Sequence, residues 1–268
     1  MANPPGVVLT ERYGTLATIT LNRPELGNRV SQALINGIIQ SCRRLADDSE
    51  VRVVSFLANG RDFSVGSDLA DPETLRIAAA PVAERRRLLR AGPDMVRAIQ
   101  ELPQITVVAM HGHCLGAGGC IALACDLRVA ASDLRFAMPE VLRGMNMSWH
   151  SLALMVEHFG PARTKELLVT NCSLDAEKSL AWGLANRVVE GGERQAKDAA
   201  TRWASEISDG VPPVQASMVK QSINAIANSR TGMMHMDADQ FILAQLTEDF
   251  VESITAFKEK RKPCYKGR

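Results

Sequence analysis

Over Leu16-Ala17-Thr18-Ile19-Thr20-Leu21 apolar and polar positions alternate with the period of a half-buried strand, and Asn22-Arg23-Pro24 ends it, because proline cannot continue the pairing. From Ser31 to Ala46 the period changes. Leu34, Ile38, Ile39 and Leu45 fall on one face, which predicts an amphipathic helix. Apolar runs predict a second strand over Val51–Leu57, closed by Asn59-Gly60, a third over Ile105–Met110 and a fourth over Leu127–Ala130. Helical spacing follows over Ser151–Phe159, Arg163–Thr170, Ser179–Trp182, Gln195–Ile207, Pro213–Asn228 and Ala238–Lys262. Strands dominate the first half and helices the second, with strand, strand and helix recurring loosely and no strict sequence period. Residues 71–93, with Pro72, Pro81, Gly92, Pro93 and a cluster of Arg85, Arg86, Arg87 and Arg90, read as a variable helical insertion whose arginines form a solvated face.

Composition narrows the partners. A net charge of +1 gives no field to recruit nucleic acid or an anionic membrane, and 4% aromatic residues leave little for base stacking. No apolar run reaches the ~18 residues of a spanning helix. Met1-Ala2-Asn3-Pro4-Pro5 lacks the basic and apolar regions of a signal peptide. Six cysteines without a CxxC pair read as reduced thiols. A cytoplasmic protein with a small-molecule substrate is the expectation.

Candidate chemistry lies where the strand Ile105–Met110 runs into His113-Cys114-Leu115-Gly116-Ala117-Gly118-Gly119-Cys120, and then into an apolar run. This order places bare backbone N–H groups at a helix start, where standing or developing negative charge is favoured. Phe136-Ala137-Met138-Pro139-Glu140 then supplies a lone carboxylate among apolar residues, which points to proton transfer on a carbonyl compound. Nucleotide motifs fail: Ile121 stands at the last glycine of GxGxxG, and GxxxxGK[ST] is absent. GxSxG fails because Asp62 precedes Ser64. His111-Gly112-His113 reads as a turn with two polar side chains, and no metal is expected. A second glycine turn, Gly60 to Leu69, leads toward a helix that Ser67 or Asp68 could cap.

Five segments in order resemble the crotonase (enoyl-CoA hydratase/isomerase) superfamily: Ile19–Glu25, Val51–Leu69, His111–Asp126, Phe136–Glu140 and Ala256–Pro263. The resemblance implies an α/β spiral of repeated ββα units with C-terminal helices. Residues 1–200 would be the core and 201–268 a helical region for trimerisation and CoA covering. It implies a homotrimer or homohexamer, and an acyl-CoA thioester substrate with no cofactor beyond that coenzyme A. The oxyanion hole carried over by position is the backbone N–H groups of Ser67 and Ala117. The CoA contacts carried over are Gly27, Arg29, Ser67, Asp68, Leu69 and Ala70, with Phe257 and Lys260 around the adenine and phosphates. A solvated helix end is the alternative for Lys260.

Two departures from the family pattern sharpen the expectation. Family hydratases use two glutamates; here Cys120 stands at the first and Glu140 matches the second. One carboxylate, its pKa raised by Phe136, Met138 and Val141, can still shuttle a proton, so double-bond isomerisation is expected. Hydration or hydrolysis by Glu140 alone, or non-catalytic acyl-CoA or RNA association, are the alternatives. Near-neutral charge and few aromatic residues speak against RNA. After Gly144, Met145-Asn146-Met147-Ser148-Trp149-His150 replaces a small, glycine-rich stretch. Ser148 marks where family dehalogenases carry a nucleophile. His150 reads as an extra acid or base, a substrate contact or a helix-start residue.

Overall fold

A computed structural model describes residues 6–228 and 237–266; Met1–Pro5 lie outside them. The strands are β1 (Val8–Tyr13), β2 (Leu16–Leu21), β3 (Val53–Ala58), β4 (Ile105–Met110), β5 (His113–Leu115), β6 (Leu127–Ala131), β7 (Arg135–Ala137) and β8 (Arg187–Val189). The helices are α1 (Gln32–Ala46), α2 (Pro72–Ala79), α3 (Val82–Leu88), α4 (Ala91–Gln100), α5 (Ala117–Ala124), α6 (Ser151–Val169), α7 (Ala176–Trp182), α8 (Glu193–Gly210), α9 (Pro213–Asn228), α10 (Asp237–Gln245) and α11 (Glu248–Lys258).

The large sheet runs β1-β2-β3-β4-β6-β8, antiparallel at the β1–β2 hairpin and parallel thereafter. A second, narrower layer pairs β5 with β7 and is extended by single bridges, Val30 to Ser67 and Ser64 to Cys114. Each turn of the chain thus passes from a long strand to a short one and then to a helix, which is the ββα spiral of the expected α/β fold. Parallel strands buried on both faces need a cover on each. On one face Ile19, Phe56, Val108 and Met110 meet α1, α4 and α5. On the other, Val53, Val107, Ala109 and Val129 meet the small-residue stripe Ala196, Ala199, Ala200 and Ala204 of α8.

Local signals explain most boundaries. Ser31 caps α1 by accepting from the Leu34 N–H, an arrangement worth about 1 kcal/mol. Gly160 (φ 74°) followed by Pro161 breaks α6 internally, so the two predicted helices are its halves. Several expectations are corrected. The predicted Ala238–Lys262 helix is interrupted: Leu246 closes α10 and Thr247 caps α11, accepting from the Phe250 N–H at 3.1 Å. The helix after Ser67-Asp68 is capped by neither of them; Asp71 accepts from the Thr74 N–H at 3.1 Å. Residues 71–93 do not form a separable insertion, because Gly92 opens the core helix α4, whose Met95, Val96 and Ile99 have 0% exposure. The arginines there are largely solvated as expected, and Arg86 pairs with Asp239 of α10. The short strands β5, β7 and β8 carry too few residues for a period to be read.

α9 is held at the sheet by charge. The buried Lys220 donates to Gln104 O at 2.8 Å and pairs with Asp126 at 2.7 Å, and Asp126 also accepts from Thr106 N and Oγ1. Beside it a cavity of about 600 Å³ lies between α6, α9 and the C-terminal end of α5, lined by Leu123, Leu154, His158, Val219 and Ile223. It is the length of α5 away from Ala117, so it is not continuous with the glycine turn. No helix among the described residues is long and apolar enough to cross a membrane.

Replacing Lys220 by alanine removes the cation from a buried pair and should cost about 3 kcal/mol. Urea unfolding should show a lower midpoint with the slope retained; an unchanged midpoint would show that the pair contributes nothing.

Candidate active site

The central turn is built by close approach. β5 ends at Leu115, and Gly116 turns the chain with φ 49° and ψ −115°, a conformation that L side chains rarely adopt. Its N–H donates to Ala137 O and its carbonyl accepts from Cys120 N. A Cβ on Gly116 would stand 2.7 Å from Glu140 Oε1, and one on Gly119 would stand 2.7 Å from Met138 Sδ. At Gly116 the positive φ disfavours a side chain, and at both positions a side chain would have to displace Glu140 or Met138. α5, all of whose residues are buried, therefore starts directly against the Phe136–Glu140 segment.

Ser67 sits on the neighbouring short strand. Leu115 N donates to Ser64 O at 2.9 Å, and a Cβ on Gly66 would stand 3.3 Å from Leu115 O, so the two glycine turns lie side by side. Among the described residues no protein acceptor takes up the N–H of Ser67 or of Ala117. Ala117 is the first residue of α5, where the helix leaves that donor unsatisfied and adds its positive end.

Glu140, at the end of the Phe136–Glu140 segment, brings its Oε1 against Gly116, the residue before the Ala117 donor. Its residue as a whole is half-buried, but Oε2 is sealed from water and has no hydrogen-bond partner. Burial, opposed only partly by its own backbone N–H and by Arg143, pushes the carboxyl up to about 7. Of its apolar neighbours in sequence, Phe136 and Met138 are buried and Val141 is 37% exposed. Cys120, one turn into α5, is packed in the core at 4% exposure.

The remaining candidates divide into exposed and engaged groups. Gly27 ends a short 3-10 turn with φ 59°, Arg29 is exposed and the side chains of Leu69 and Ala70 face outward. Asp68 does not: it is 5% exposed and pairs with Arg23 at 2.9 Å, while Arg23 also donates to Arg29 O. Its carboxylate holds the turn instead of facing a ligand. Phe257 is exposed under the Arg143 guanidinium, 5.2 Å from the ring centroid, and Lys260 is exposed just beyond α11. The carbonyl of Ser148 accepts from Ser151 N and Oγ, which seats the start of α6. His150 is buried at that start in the left-handed region, and burial beside Arg97 lowers its pKa to about 4, leaving it neutral at pH 7. Trp149 fills the space that a side chain at Gly92 would need. His111 contacts Gly60 O and His113 contacts Asp62, a polar turn as read from the sequence.

Sequence reasoning missed Asn28. This fully buried residue, at φ 51°, accepts from Arg23 N and donates to Asn59 O and Asp62 O, tying the first turn to the second. A Gly-Asn pair just after a proline turn was the available signal.

A family model described as enoyl-CoA hydratase/isomerase matches residues 11–268. The chain belongs to that family. Among curated enoyl-CoA relatives, a short-chain-enoyl-CoA hydratase of Clostridium acetobutylicum is 29% identical over 95% of both chains. A crotonyl-CoA hydratase of Syntrophomonas wolfei is also 29% identical, over 95% of this chain and 96% of its own. Among solved structures, an enoyl-CoA hydratase/isomerase from Pseudoalteromonas atlantica superimposes with a TM-score of 0.84 at 26% identity, covering 97% of this chain and all of the other. In this enoyl-CoA hydratase/isomerase family member no group of three or more His, Cys, Asp or Glu side chains is placed to hold a metal, among the described residues.

The raised pKa has a stability consequence. The unfolded carboxyl loses its proton near 4.5 and the folded one near 7. Folding is therefore favoured by the protonated form, and that contribution fades as pH rises through 7. It amounts to about 3 kcal/mol. Glu140→Gln does not titrate, so its stability relative to the unsubstituted protein should rise by about that amount between pH 4 and pH 8. Parallel pH–stability curves for the two proteins would contradict the buried, unpartnered carboxyl.

Proposed function

We propose that the protein moves a carbon–carbon double bond of an enoyl-CoA from the 3 to the 2 position, with Glu140 as the single proton carrier. The observation that carries the reading is a carboxyl set against Gly116 with one oxygen, Oε2, buried and without a partner, beside two untaken N–H donors, with a thiol at Cys120 where a second carboxylate would serve water. The thioester oxygen would lie between the N–H groups of Ser67 and Ala117. Glu140 removes an α-proton, the electron pair spreads onto that oxygen and the γ-carbon, and the same carboxyl returns the proton at the γ-carbon. No water is consumed. Each backbone donor lowers the barrier by roughly 3 kcal/mol, and the positive start of α5 lowers it further.

The half-buried Gly27 and the exposed Arg29, Leu69 and Ala70 on one side, and the exposed Phe257 and Lys260 on the other, support a path for the CoA moiety. Asp68 serves this path only by holding its turn through Arg23. No cofactor beyond that coenzyme A is called for. Val214, Met218 and Ile226 of α9 are each more than 60% exposed, and such an apolar helix face supports assembly as a homotrimer or homohexamer. Six cysteines outside any disulfide fit a reducing cytoplasm. Hydration by Glu140 alone is the second reading, favoured by the names of the two curated relatives.

Assays with a 3-enoyl-CoA and a 2-enoyl-CoA separate the readings. Isomerisation of the first without appreciable hydration of the second is expected; efficient hydration would reject the isomerase. Glu140→Gln should lower kcat on the 3-enoyl-CoA by about 10³-fold or more, and retention of activity would sink both readings. The base must be ionised, so kcat/KM should climb as pH approaches about 7 and level off above it.

A further inference from the structure

The interactions of the Glu140 carboxyl are local: its own backbone N–H and the charge of Arg143, both in the turn that it opens. Its Oε2 has no hydrogen-bond partner, so its place against Gly116 is inherited from the backbone turn that it opens. That turn is a 3-10 segment, Val141–Arg143, with no buried residue, closed by Arg143 N and Met145 N donating to Glu140 O. A turn without a core anchor needs one from outside.

α11 and the tail behind it supply three. The carbonyl of Leu142 accepts from Ser253 Oγ at 3.2 Å and from the Tyr265 hydroxyl at 2.5 Å. Gly144 lies backbone to backbone on α11, since a Cβ there would stand 2.7 Å from Phe250 Cα. Arg143 stacks over Phe257. The tail is itself fastened: Arg261 forks onto Glu252 at 2.6 and 2.9 Å, Cys264 N donates to Glu252, and Lys266 N donates to Asp249. Exposed pairs of this kind add little stability singly, but together they deliver an otherwise half-exposed tyrosine to one carbonyl.

We propose that α11 and residues 259–266 form a strap that positions Glu140, with Tyr265 and Ser253 as positioning residues acting through Leu142 O. The charged and titratable groups around that turn are Arg143 within it, His150 at the start of α6, Glu248, Asp249, Glu252 and Lys258 on α11, and Arg261 and Lys266 in the tail. Tyr265→Phe removes none of these charges. The strap itself is read from geometry; its effect on rate rests on the proposed role of Glu140.

The test is the titration of the Glu140 carboxyl by carbon NMR, assigned by its loss in Glu140→Gln. Loosening the turn admits water, and hydration favours the charged form. Tyr265→Phe, Ser253→Ala and a chain ended after Pro263 should each titrate below the unsubstituted protein, the shortened chain by about one unit or more. Circular dichroism and melting temperature should stay unchanged in the two point variants. On a 3-enoyl-CoA their kcat should drop about tenfold with KM little altered. An unmoved titration in all three variants overturns the strap. A protein without isomerase activity in which the titration still moves would leave the strap standing and defeat only the proposed function.

Discussion

A carboxylate oxygen lodged where the side chain of residue 116 would have to be is the constraint on which the rest depends. It requires a glycine, and the same glycine supplies the left-handed turn that starts α5 where it does. Starting α5 there leaves the Ala117 N–H without an acceptor and aims it at the space that Glu140 borders. The other carboxylate oxygen, Oε2, is shut off from water, and exclusion of water raises the pKa of the carboxyl. Donor, carboxyl and protonation behaviour thus meet at one place in the fold.

The two-layer spiral makes that contact reproducible. β5 and β7 lie in register, and single bridges from Ser64 to Cys114 and from Ser67 to Val30 bring the preceding segments alongside, so consecutive turns of the chain come together at one edge. Rigidity comes from polar clamps between the turns. Asn28 and the Arg23–Asp68 pair join the first to the second, and Ser64 spans the second and third. Such groups are buried, and each is satisfied by a neighbour on a different turn, so none can move without unpairing another.

How much of this was legible in the sequence depended on whether the signal was local. Alternation in β2, the apolar stripe of α1 and the Gly160-Pro161 break declared themselves, because period and turn chemistry act over a few residues. The glycines at 66 and 116 announced close approach, but not what approached. Glu140 stood out as a lone carboxylate in an apolar stretch, and the family resemblance added its role; its contact with Gly116 is a tertiary fact. The ion pair of Asp68 was not legible because its Arg23 partner lies 45 residues earlier, beyond any periodic pattern. The role of the tail was invisible for the same reason: Tyr265 reads as an exposed terminal aromatic until Leu142 O is seen beneath it.

The thiol at Cys120 bears on how one carboxyl could suffice. To add water across a double bond, one group must hold and deprotonate the water while another supplies a proton to carbon. A small side chain of α5 packed in the core offers no second carboxylate for this. A shuttle asks something different of Glu140, which must first take a proton from carbon and then give the same one back. A carboxyl of ordinary acidity is a weak acceptor, and one far more basic would hold its proton. A value near neutrality serves both halves, and here it follows from the burial that places the group. Water reaching that carboxyl would stabilise its charge and compete for the proton in transit. Closure of the turn around Glu140 is therefore part of the chemistry as well as of the packing.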